Sequence, residues 1–161
     1  MLGIDIGNNE LKITARKGAN VTMVCEKLPT NMVREGIVQV QDAMTDFIKT
    51  IRKKYRLPGG PCALILPTSQ VFCRGIHFPA MDEDRMIMNL PYEMKDYLAQ
   101  EADRYYYDYL VNGTSTDQLG NVTDIDTTVA AVLKTAIMEN RQMLQNAGLR
   151  LEIALPQEMA Y

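Results

Sequence analysis

The first seventeen residues constrain this chain more than any other stretch. Leu2, Ile4 and Ile6 alternate with smaller or polar neighbours, and Leu11, Ile13 and Ala15 do the same after Gly7-Asn8-Asn9. Successive side chains on a strand point to opposite faces, so two half-buried strands joined by a tight turn are predicted. Glycine adopts positive φ without steric cost and asparagine is the next most tolerant residue, so the turn is expected to aim successive backbone N–H groups into one concavity. Such a nest attracts anions, phosphate in particular. Asp5 would stand beside it at the end of the first strand, able to hold Mg²⁺ through water, and Lys12 would enter from the second strand as a point charge. A carboxylate, an amide cradle and a cation are what the phosphates of a nucleotide require. The same D-x-G turn also occurs in hairpins for conformational reasons alone, where a strand lysine is simply a solvated charge.

Composition narrows the partners. A length of 161 residues with 47% hydrophobic content is enough for one ordinary domain or two small ones with a real core. The net charge of −3 provides no basic field, which argues against nucleic acid. No apolar run reaches the length of a membrane span and no secretory leader precedes the first strand, so a cytoplasmic protein is expected. The N-x-S/T sequons at Asn20, Asn112 and Asn121 therefore carry no weight. Cys25, Cys62 and Cys73 are widely spaced and accompanied by a single histidine, which excludes a C-x-x-C zinc site and leaves them as small strand hydrophobes.

Along the chain, residues 21–27 read as a third strand and 36–38 as a short apolar strand. Asp42 is the expected N-cap of a helix whose Met44, Phe47, Ile48, Ile51 and Tyr55 form one apolar stripe. Lys49, Arg52, Lys53 and Lys54 load its far face and C-terminal end; a solvated, dipole-matched helix end accounts for them, with an anionic surface as the alternative. Cys62 to Leu66, after Pro58-Gly59-Gly60-Pro61, is a continuous apolar run of the kind buried on both faces. Residues 71–78 read as a strand, and 84–98 as a helix kinked or broken at Pro91. A strand over 104–111, a polar loop over 112–121, a strand over 125–133, a helix over 135–147 stopped by Gly148 and a strand over 149–155 follow. The order β-α-β-β-α-β from 71 to about 155 has the form of a split-βαβ module. Residues 156–161 read as the first turn of another helix.

Several of these segments together resemble a known family. Gly3 to Lys12 resembles the first phosphate loop of the actin, Hsp70 and sugar-kinase superfamily. The order of Leu28-Pro29, Val33-Arg34-Glu35-Gly36-Ile37-Val38, Ala63-Leu64-Ile65-Leu66-Pro67, Cys73-Arg74-Gly75-Ile76-His77-Phe78-Pro79, Asn89-Leu90-Pro91-Tyr92-Glu93 and Leu144-Gln145-Asn146-Ala147-Gly148-Leu149 is similar to the N-terminal half of the PilM family of actin-like, type IV pilus assembly proteins. The resemblance implies an α/β (α+β) fold with an actin-like subdomain 1A over 1–70, an inserted 1C subdomain, shared with the division protein FtsA, over 71–150, and a return into 1A over 151–161. It implies that ATP and Mg²⁺ lie in a cleft between two lobes, with Asp5 near the metal, Gly7, Asn8 and Asn9 as the phosphate turn and Lys12 at the phosphates. Serine or threonine usually stands in the family where this chain has Asn8 and Asn9. The second phosphate loop and the adenosine pocket lie beyond Tyr161, so this stretch alone is expected not to hydrolyse ATP.

The resemblance further implies a cytoplasmic scaffold at the inner face of the membrane that docks the tail of the membrane protein PilN in a groove between 1A and 1C, with other pilus-platform proteins as partners and self-association left open. Met81, Met86 and Met88 with Tyr92 are candidates for an adaptable lining, although buried helix packing explains them as well. The rival readings are one lobe of an ATPase or kinase of the same superfamily and an FtsA-like division protein. Three remaining features read as structural: His77 as a strand residue, Asp82-Glu83-Asp84 as an acidic helix start, and Tyr105-Tyr106-Tyr107 as strand aromatics beside a core.

Overall fold

The computed structural model describes residues 1–159. Its first strands are β1 (Leu2–Ile6), β2 (Glu10–Lys17) and β3 (Asn20–Lys27), followed by the two-residue strands β4 (Val33–Arg34) and β5 (Ile37–Val38), helix α1 (Gln41–Lys54) and β6 (Gly60–Leu66). Then come β7 (Val71–Pro79), α2 (Glu83–Met94), β8 (Tyr105–Thr116), β9 (Val122–Leu133), α3 (Lys134–Asn146) and β10 (Leu149–Pro156). The chain divides into two compact units, residues 1–70 with 136–161, and residues 71–135.

The first unit is a mixed five-stranded sheet in the order β10-β6-β1-β2-β3. β1 and β10 both run parallel to β6, whereas β2 pairs antiparallel with β1 and with β3. The alternation seen in the sequence decides which face is buried: Leu2, Ile4, Leu11, Ile13, Leu64 and Leu66 all lie in the core, and Met44, Ile48, Met143 and Leu144 of α1 and α3 are buried with them. Burying each of these side chains contributes roughly 1.5–3 kcal/mol. α1 and α3 are tied by the Thr45 hydroxyl, which donates to the Met143 carbonyl at 3.3 Å, and by the Arg52 guanidinium, which donates to the carbonyl of Ala147. Gly148 ends α3 at φ +75°, a left-handed position where a Cβ would also meet Arg52.

The second unit is an antiparallel sheet in the order β7-β9-β8 with α2 as its helix. Phe78, Met86, Leu90, Met94, Tyr105, Val129 and Ala131 form its core. Asp82 caps α2 by accepting from the Arg85 amide at 2.9 Å, so the acidic run does serve the helix start. His77, on β7, projects from the sheet between two carboxylates of β9, with Nδ1 at 2.5 Å from Asp126 and Nε2 at 3.3 Å from Asp124.

Several expectations are corrected. The helix and strand that follow β9 do not complete a second-unit sheet: β10 pairs with β6, and α3 from Ala136 onward belongs to the first unit, so the second unit ends at Thr135 rather than 150. A strand's partner is set by long-range pairing: β10 takes the open edge of β6, running parallel to it, with Leu149 and Pro156 buried at its two ends. Asp42 lies in the first turn of α1, whose N-cap position is Val40 with no side-chain cap. Pro91 does not break α2, which runs on to Met94 before a 3₁₀ turn at Lys95–Tyr97. β8 continues through the expected loop to Thr116, because Asn112 forms a bulge there and exchanges hydrogen bonds with the Thr128 hydroxyl across the ladder. Cys25 is exposed, its thiol donating to Glu10 at 3.3 Å, rather than packed as a hydrophobe. Gln157–Met159 form a 3₁₀ turn, while the rest of the expected C-terminal helix, Ala160 and Tyr161, lies outside the described residues.

The hydrogen bond to Asp126, reinforced by the charge of both aspartates, raises the His77 pKa above its ordinary 6.5. A raised pKa means the protonated pair stabilises the fold fully below pH 6.5 and that this contribution is lost as pH rises through the higher folded value. An NMR titration should therefore give His77 a pKa above 6.5 that falls back toward it in Asp126→Asn. An unchanged value in that variant would show that Asp126 does not hold the ring.

Candidate functional site

Three parallel strands bring their carboxyl ends to one edge of the first sheet. Asp5 pairs with Ile65, and Leu155 and Pro156 pair with Ile65 and Leu66, so the chain leaves β1 at Gly7, β6 at Pro67 and β10 at Gln157 side by side. In open α/β sheets ligands bind outside such strand ends. A concavity of about 620 Å³ lies there, lined by Asp5, Gly7, Asn8 and Lys12 on one side, Glu35 and Gly36 from the β4–β5 turn, and Pro67, Thr68, Ser69 and Gln157.

Its walls are built by local chemistry. Gly7 donates its N–H to the Glu10 carbonyl at 2.9 Å and closes the β1–β2 hairpin, with Asn8 and Asn9 as the bend between. None of the three has positive φ, contrary to the expectation from their composition. A Cβ on Gly7 would come within 3.3 Å of the Glu10 carbonyl oxygen, so close approach rather than handedness suits glycine here. With the Gly7 amide engaged, the amides of Asn8 and Asn9 are what the bend can present to an anion. Asn9 lies outside the lining, and its carbonyl accepts from the Leu28 amide at 2.8 Å, fastening the bend to the end of β3.

The left-handed residues sit across the concavity. Glu35 at φ +52° and Gly36 at φ +75° form the two-residue loop between β4 and β5, the conformation a type I′ hairpin turn demands at both positions. The tip of this hairpin is held from two sides. Asn8 Oδ1 accepts from the Gly36 amide at 2.8 Å, and the Ser69 hydroxyl donates to the Glu35 carbonyl at 2.5 Å. Asn8 thus works through its side chain as a clamp, a role that serine or threonine would reach less far to fill. The hydroxyl missing from the bend is present on the facing wall as Thr68.

Asp5 and Lys12 are cross-strand partners, and their charged ends stand 3.8 Å apart, both partly open to solvent. An ion pair this long and this exposed contributes little stability and yields readily to a ligand. The donor set suits magnesium only in company. Among the described residues no three metal-ligating side chains cluster, and Mg²⁺ is characteristically held by one or two carboxylates together with water and substrate phosphates. Asp5 fits as the single carboxylate of such an arrangement and Lys12 as the phosphate's counter-charge.

A family model described as type IV pilus assembly protein PilM matches residues 3–155. The chain belongs to the PilM family. Among solved structures it is similar to a PilM–PilN type IV pilus biogenesis complex, with a TM-score of 0.83 and 20% identity over 98% of this chain and 47% of that one. It is also similar to the cytoplasmic domain of EpsL, an inner-membrane component of the type II secretion system of Vibrio cholerae, with a TM-score of 0.64 and 12% identity over 96% of this chain and 56% of that one. No curated protein matches the sequence. The chain thus has the fold of PilM and spans about half the length of these structures. No helix among the described residues is long and apolar enough to cross a membrane.

Sequence reasoning missed Glu35, Gly36, Pro67, Thr68, Ser69 and Gln157 as lining residues. The signal was present: each follows the end of a strand in the first sheet or forms a hairpin tip. In this PilM-family chain the methionine cluster does not form one surface, since Met86 is buried in the second-unit core while Met88 and Tyr92 are exposed. Gly36→Ala places a Cβ 2.3 Å from that of Pro67 at a left-handed φ, and should destabilise the protein by more than about 1 kcal/mol in urea unfolding. Asn8→Ala leaves the Gly36 amide without its acceptor and should cost about 1 kcal/mol by the same measurement.

Proposed function

We propose that this chain is the N-terminal part of a cytoplasmic scaffold for type IV pilus assembly, and that in the longer protein the concavity at the ends of β1, β6 and β10 holds the phosphates of Mg-ATP. The observation that carries the reading is the meeting of Asp5, Lys12 and the Asn8 bend at that edge. Asp5 would orient the metal's water shell, Lys12 would neutralise phosphate charge once released from Asp5, and the Asn8 amide would donate to a phosphate oxygen. Asp5 would be the one carboxylate to hold a magnesium ion through its water, and that ion would supply charge neutralisation at the phosphates. Thr68 supplies a hydroxyl from the opposite wall.

The proposed work of the protein is docking rather than turnover. Family membership supports a place in the pilus machine, and the PilM–PilN complex among the similar structures supports a PilN-like membrane-protein tail as partner. The likeness to the cytoplasmic domain of an inner-membrane secretion component fits a position at the cytoplasmic face of the membrane. With this lobe supplying one wall of the phosphate site, the chain alone is proposed to be non-catalytic.

Calorimetric titration separates this reading from that of an ATPase or kinase lobe. The longer protein should bind Mg-ATP, Asp5→Ala should weaken that binding at least tenfold in the presence of magnesium, and neither should release phosphate at an enzymatic rate. Unchanged affinity in Asp5→Ala removes Asp5 from the site, and rapid phosphate release establishes the enzyme reading instead.

A further inference from the structure

We propose that the C-terminal end of α1 is a binding site for the phosphate headgroups of an anionic lipid surface, independent of the nucleotide concavity. A second concavity, of about 360 Å³, is lined there by Lys49, Arg52, Lys53, Arg56 and Leu57. Four of its five lining residues are cationic and none is acidic, in a chain whose net charge is −3. The nearest compensation is Asp46, which pairs with Lys49 at 3.2 Å. Lys54 belongs to a different arrangement, since it donates to Glu26 at 2.5 Å and Tyr55 bonds the same carboxylate.

Complementing the helix dipole does not account for this cluster. Three of the last four carbonyls of α1 are already satisfied by backbone amides, with Tyr55 donating to Ile51, Arg56 to Lys53 and Leu57 to Arg52. The half charge at a helix C-terminus is also small beside four cations. Arg56, moreover, lies beyond the helix at φ +53°, a conformation unfavourable for a residue with a Cβ, where glycine would be relaxed. A long cationic side chain stands where the backbone favours its absence, and such an outlier points toward function.

The site is also preorganised. Arg52 is fixed by donating through Nε to the Pro58 carbonyl at 3.2 Å and through Nη1 to Ala147, which leaves further guanidinium N–H groups to offer. Leu57 is buried beneath, giving the concavity a firm floor. Lys53 and Arg56 are exposed and line the concavity together with the fixed guanidinium, so a phosphodiester seated there meets one held charge and two mobile ones. Basic residues near an anionic bilayer each raise affinity about fivefold at moderate salt.

The test is sedimentation of the intact protein with vesicles of phosphatidylglycerol and phosphatidylcholine, with pure phosphatidylcholine vesicles and soluble polyglutamate as the other arms. Binding is expected to the anionic vesicles alone and to fall as salt is raised. Lys53→Ala combined with Arg56→Gly should weaken it more than about tenfold, two residues at about fivefold each. Because glycine is relaxed at the Arg56 backbone, thermal unfolding of the variant should occur no earlier than in the parent, and its Mg-ATP binding should be unchanged. Equal vesicle binding by parent and variant overturns the proposal, as does absence of binding to anionic vesicles. Binding to polyglutamate without binding to vesicles also overturns it, in favour of an acidic protein segment.

Discussion

The parallel pairing of β1, β6 and β10 is the constraint on which the rest of the first unit depends. Parallel strands must be linked by crossovers, so their ends gather at one edge while their connections run elsewhere. Here the registers Asp5 with Ile65 and Leu155 with Ile65 bring three chain exits into line. The buried residues of β1 and β6 hold that registration, because a slip of one position would turn Leu2, Ile4, Leu64 and Leu66 outward together. The concavity follows from sheet geometry before any polar residue is considered.

Polar chemistry then gives the edge a shape. Asn8 reaches from the β1–β2 bend to the Gly36 amide and Ser69 reaches from the turn after β6 to the Glu35 carbonyl, so two segments far apart in sequence grip one hairpin tip. Both bonds engage backbone groups in a left-handed turn that would otherwise face solvent, and both keep the β4–β5 hairpin, too short to be stable alone, against the concavity. Asp5 and Lys12 face one another loosely across β1 and β2 within the same wall. The arrangement combines a fixed frame with a pair of charges that can be separated at little cost.

Much of this was legible in the residues. Alternation in Leu2, Ile4, Ile6, Leu11 and Ile13 gave the first hairpin and its buried face, the continuous run from Cys62 to Leu66 gave the central parallel strand, and the order of short segments indicated the PilM family. What escaped was set by contacts distant in sequence. The pattern after Val71 was compatible with a closed βαββαβ unit, and only the pairing of β10 with β6 and the Thr45–Met143 bond show where its last helix and strand belong. The extension of β8 escaped because Asn112, Gly113 and Thr114 carry no apolar alternation; cross-strand bonds from Asn112 sustain the ladder there. Glycine and asparagine at positions 7 to 9 suggested left-handed backbone, yet the left-handed residues lining this concavity are Glu35 and Gly36 in the facing hairpin, and the distinctive feature of Asn8 is its side-chain acceptor.

The central claim is that the strand ends of the first sheet, framed by the Asn8 clamp, receive the phosphates of a nucleotide. Backbone amide chemical shifts of the intact protein, followed as Mg-ATP is added, test it most directly. The account predicts that the largest changes fall at Asn8 and Thr68, with Gly36 following through its bond to Asn8. Shifts that leave those amides unmoved while others change would place the nucleotide elsewhere and contradict it.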